Sequence, residues 1–249
     1  MKQVIKLCLR PLVFGFIVAV TGSGVASAES TLAKEIGDTT MALHHLHSLM
    51  NHALRMMLQG ENLVILSEMV KALGVDITPE EHVRAMFDNG KVLLQRAMTD
   101  EEMKAIHARG ADAKLMRYTH ALGEAMQKVV ASLDGISMPR PEKKGVTLQH
   151  LRMDLNQALM MATEGSNIIM SGREGMTPKV DKAFIEHGQA MLTEARKLWQ
   201  VNTEEKGMQD LMRPGQSAES AATMTGIHEL VEAGTKVLDL ETEMYLHQQ

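Results

Sequence analysis

Met116, His120 and Glu124 stand at i, i+4 and i+8, and Met224, His228 and Glu232 repeat the pattern in the second half of the chain. On a helix each four-residue step drifts by only about 40°, so the three side chains form one stripe on successive turns. A thioether, an imidazole and a carboxylate are donors that a soft or borderline metal takes. The mixture favours copper, because thioether sulfur prefers Cu(I), while imidazole also suits zinc and nickel. A facing helix must add a ligand, and His45 and His150 are the candidates for the two stripes. The competing reading is a surface His–Glu pair, with Glu124 also facing Lys128 at i+4, and it needs no metal.

These stripes belong to a larger duplication. Residues 43–66 align without a gap to 148–171 at an offset of 105, and nine of the 24 positions are identical. They include Asn51, Gly60 and Asn62, which recur as Asn156, Gly165 and Asn167. Residues 116–130 recur as 224–238 at an offset of 108, with seven of 15 identical. An internal repeat sets the architecture. It also serves as a filter, since residues kept in both halves are better candidates than residues seen once.

The first segment adds a dense local cluster, His44, His45, His47 and His52. Half two carries Gln149, Arg152 and Gln157 opposite three of these. A metal bound by the cluster would therefore be particular to half one, and a solvated helix face explains the cluster equally well. His150 instead has Asp154 at i+4, a carboxylate that could orient or share in ligation. Asn51 and Asn62, with Asn156 and Asn167, fall opposite the apolar stripe. Amides retained on a nominally wet face suggest that it meets the other half or a second subunit. Gly60 and Gly165 suit a kink or close helix approach, and Gly90 and Gly188 suit close packing.

Every patterned segment that must carry these residues reads as helix. Leu43, Leu46, Met50, Ala53, Leu54 and Met57 follow the i, i+3, i+4, i+7 spacing of one buried face. Alternating β-branched runs and Asn-Gly hairpins are missing. Thr78-Pro79 and Thr177-Pro178 mark the starts of second helices, and Thr99-Asp100-Glu101-Glu102 and Asn202-Thr203-Glu204-Glu205 mark third ones. The expected helices cover 31–73, 79–98 and 100–134, then 146–172, 178–200 and 203–246. The third of each set is broken, near Gly110 and at Pro214-Gly215. The expected fold is all-α, two tandem homologous helical-bundle repeats (29–134 and 146–249, joined by a 135–145 linker) about a pseudo-twofold axis.

Residues 1–28 carry the marks of a cleaved signal peptide. Lys2, Lys6 and Arg10 precede the short apolar run 12–20, and Ala26-Ser27-Ala28 is a small-residue cleavage site. The expectation is a soluble periplasmic or secreted protein with no stable membrane insertion after cleavage. Cys8, the only cysteine, lies inside that segment, so the mature chain has no thiol or disulfide. Removing the segment leaves 23 basic against 31 acidic residues, a net charge of −8 that argues against nucleic acid. Of 22 methionines, 21 lie beyond it, against five aromatic residues. Methionine therefore stands in as adaptable core filler.

No C-x-x-C-H, E-x-x-H, H-E-x-x-H, G-x-S-x-G or phosphate-binding loop occurs. Those absences point away from covalent haem, a di-iron bundle and the common hydrolases, and an enzyme is not expected. The leading expectation is an exported metal-binding protein, copper first, that sequesters, carries or senses the ion. The alternative is a non-catalytic helical interaction module that binds an apolar ligand or partner protein, or forms a homo-oligomer. Noncovalent haem between a Met and a His is a third reading.

Overall fold

A computed structural model describes residues 39–71, 74, 80–134, 146–173, 178–204 and 218–246. The signal segment, the 135–145 linker, Thr78-Pro79 and Pro214-Gly215 lie outside the described residues. Among those described there is helix and no strand. The helices are α1 (Thr39–Lys71), α2 (Glu80–Ala97), α3 (Asp100–Ala108), α4 (Ala113–Asp134), α5 (Val146–Arg173), α6 (Pro178–Thr203) and α7 (Ala218–Tyr245). The break expected near Gly110 separates α3 from α4, and Gly110 itself takes φ +83°, a conformation that glycine adopts without steric cost.

Four long helices form the centre. α1 packs on α5 and on α4, and α7 packs on α4 and on α5, closing a ring. α2 lies against α1 and α6 against α5 on the outside. Contacts between Asn51 and Asn167, and between Asn62 and Asn156, set α1 and α5 antiparallel. Tyr118, near the start of α4, hydrogen-bonds Glu243, near the end of α7, so these two also run antiparallel.

The apolar stripe of the first helix is buried in full. Leu43, Leu46, Met50, Ala53, Leu54 and Met57 all lie in the core, together with Leu122, Met126 and Val129 of α4 and Leu155, Leu159 and Ile169 of α5. Burying one such side chain contributes roughly 1.5–3 kcal/mol. Methionines 50, 57, 126, 170, 224 and 244 are core residues, in line with the filler role. Among the described residues no helix is long and apolar enough to cross a membrane.

The face of α1 that carries the retained amides meets the other half, as expected: Asn51 and Asn156 are fully buried, because α1 and α5 are covered on both sides. Two other expectations need correction. Asn202 and Thr203 do not open a helix. They belong to the end of α6, where Asn202 Nδ2 donates to the Leu198 carbonyl and Thr203 Oγ1 to that of Trp199. Thr99 does precede α3, but its hydroxyl turns back to the Arg96 carbonyl instead of capping the new helix.

Candidate functional site

His120 and Glu124 sit on the outer side of α4. Leu122, Met126 and Val129 occupy its inner side, and this leaves the polar stripe to solvent. His120 Nε2 and Glu124 Oε1 are 3.2 Å apart, with both side chains about 60 % exposed (59 % and 61 %). Met116, one turn earlier, is half-buried against the core. In α7 the matching His228 and Glu232 are exposed, but Met224 is only 5 % exposed and packs inward. The two stripes therefore differ at the thioether.

The expected facing ligands do not arrive. His45 is half-buried on α1 and His150 is exposed on α5. Among the described residues no group of three or more His, Cys, Asp or Glu is placed to hold a metal ion. His45 thus does not join His120 and Glu124, and His150 does not join His228 and Glu232. The first-helix histidines also scatter, since successive positions rotate by about 100°. His47 is fully buried, His44 and His45 are half-covered, and His52 reaches the surface with its ring still partly covered.

What the two stripes share is a groove. Glu124 and Lys128 of α4 line it with Glu232 and Lys236 of α7, over a floor that includes Ala125 and Ala233, and it encloses about 780 Å³. Glu229 and Asp239 bring its carboxylates to four, against two lysines. Each of the four wall residues first named is retained between the repeats, so the duplicated motif meets itself at one surface.

Two buried clusters carry most of the remaining polar chemistry. At the centre, Asn51 Nδ2 donates to Asn167 Oδ1 at 2.9 Å and to the Thr163 carbonyl at 3.2 Å. Asn156 Nδ2 donates to Asn62 Oδ1 at 2.9 Å and to Glu61 Oε2 at 2.5 Å. Arg152, fully buried, gives Glu61 Oε1 two hydrogen bonds, from Nε at 3.1 Å and Nη2 at 2.7 Å. Arg55 and Glu164 close the partly exposed edge of this seam. At the other cluster, His47 Nε2 lies 3.0 Å from Glu241 Oε1 and His47 Nδ1 lies 2.8 Å from the Tyr245 hydroxyl, so the ring bridges the two. All three side chains are buried.

Sequence reading placed the amides against the other half but missed the Glu61–Arg152 pair and the His47–Glu241–Tyr245 chain. Arg152 had a signal: it replaces His47 in the repeat register, at a position that faces the bundle interior in both halves. Glu241 had none, being 194 residues from its partner.

No protein-family model, curated protein or solved structure matches the chain.

Proposed function

We propose that this is an exported, non-catalytic protein of two homologous helical repeats, related by a pseudo-twofold axis, that binds a soft or borderline metal ion. Copper is the first choice, ahead of zinc or nickel, and the role is to sequester, carry or sense it. The symmetry is supported by the reciprocal amide bonds of α1 and α5. The metal reading is carried by one observation: an accessible imidazole and carboxylate stand 3.2 Å apart, with a thioether one turn away. Cu(I) accepts such soft, sparse donor sets. An open site of two or three donors exchanges its ion readily, which suits transfer better than a closed structural centre.

The repeats are unequal in this reading. Met116 is reachable and Met224 is not, so the tighter site is Met116, His120 and Glu124, and His228 with Glu232 forms a weaker one. An anaerobic Cu(I) titration against a competing chelator tests this. The expected result is one tight ion per chain, lost in H120Q and weakened about tenfold in M116L, with M224L unchanged. Replacing His120 and His228 together abolishes uptake. No competition with the chelator would end the metal reading.

A second reading, a helical interaction module, is favoured by the shared groove. Four carboxylates against two lysines suit a partner segment of net positive charge. Absent copper uptake would leave this groove as the functional surface.

A further inference from the structure

A separate pocket of about 490 Å³ opens at the start of α4, away from the polar stripes, between the first turn of α1 and the ends of α5 and α7. Its volume falls within the roughly 300–1,000 Å³ usual for small-molecule sites. Three of its lining residues are basic or ionisable to a cation: Lys114, Arg173 and His44. Its one acid, Asp112, is engaged, with Oδ1 accepting the Leu115 N–H at 2.7 Å. Leu115, Met244 and the Tyr245 ring supply an apolar wall. That ring is fixed in place, because its hydroxyl is held by the buried His47–Glu241 pair and the Arg173 guanidinium lies 5.3 Å over its face.

Neither Lys114 nor Arg173 forms an ion pair with a carboxylate among the described residues; each instead rests over an aromatic ring, Tyr118 and Tyr245. The repeat supplies an independent argument. Under the two offsets, His44, Arg173 and Lys114 correspond to Gln149, Glu68 and Ala222. At each of these three positions the basic or ionisable side chain occurs in only one of the two halves of the repeat alignment.

We infer that this pocket binds a small organic carboxylate with a compact apolar body. The planar fork of Arg173 matches a carboxylate in two-point contact, with Lys114 adding attraction. The apolar wall takes the body of the ligand and favours it over a bare inorganic anion.

Titrating the purified protein with benzoate, and separately with inorganic phosphate, while following backbone amide resonances tests the assignment. Lys114 and Arg173 are exposed, so K114Q/R173Q keeps the fold, which helical circular dichroism verifies. The expected result is saturable shifts at Lys114, Leu115 and Tyr245 with benzoate, weakened at least ~tenfold in the double variant. Shifts that never saturate, shifts untouched by the double variant, or phosphate binding as tightly as benzoate would each overturn the proposal.

Discussion

Asn51 donates to Asn167 at 2.9 Å, and Asn156, its counterpart 105 residues on, donates to Asn62, the counterpart of Asn167, at the same distance. The bond is made twice, once in each direction, across two antiparallel helices. Both donors are fully buried, so each amide that loses its partner also keeps an unpaid desolvation cost. N51A and N156A should each lower unfolding free energy by about 1–3 kcal/mol, read by urea denaturation. A loss in one variant and none in the other would show that the two bonds are not equivalent.

The neighbouring ion pair makes a sharper case. Arg152 is completely buried and its charge is met by Glu61. Removing one partner strands a charge in the interior at a cost of about 3–5 kcal/mol, whereas removing both leaves only a packing defect. E61Q and R152M should therefore each be strongly destabilised, and E61Q/R152M should be less so than the sum of the two. Additive losses in the double-mutant cycle would mean that the pair is not coupled.

How much of this was legible depended on the range of the interaction. The stripe Leu43 to Met57 was readable because helical periodicity is local and burial follows it. The break at Gly110 was readable from one residue. The amides were readable as partners of something through the repeat, yet their full burial was not, because a single helix does not disclose that it lies at the centre of a ring. His47 looked like one member of a histidine cluster, and its bond to Glu241 depends on how α7 closes on α1. In α4 His120 and Glu124 share the exposed face that the spacing implies, whereas in α7 Met224 turns into the core away from His228 and Glu232. Which helix that face meets was a question of packing, and α7 faces α4 where α1 was expected to supply His45.

Glycines 60 and 165 are repeat partners with different surroundings. A Cβ on Gly188 would lie 2.4 Å from the Gly165 carbonyl oxygen and one on Gly165 would lie 2.7 Å from that of Gly188, backbone against backbone. A Cβ on Gly60 would meet the Phe87 ring at 3.2 Å, which a side-chain shift relieves. G165A and G188A should each lose about 1–3 kcal/mol by forcing α5 and α6 apart. G60A should cost less, or gain slightly through its helix preference. Thermal unfolding of the three variants decides it, and equal losses would remove the close α5–α6 approach as the cause.

His52 gives the protein a response to acid of definite sign. Its pKa lies below the ordinary 6.5, first because burial penalises the charged ring and next because Arg55 repels it, with Glu164 opposing. A depressed histidine pKa means that the unfolded chain takes up the proton more readily than the folded one. The stabilisation is whole above the unfolded value of 6.5 and is lost as pH falls through the lower folded value. Repeat two carries Gln157 at this position, which supplies a substitution already compatible with the fold. H52Q should therefore fold normally at neutral pH and lose less stability than the parent between about pH 7 and about pH 5. Urea midpoints measured across that range test it, and parallel curves for parent and variant would show that His52 contributes nothing to the acid response.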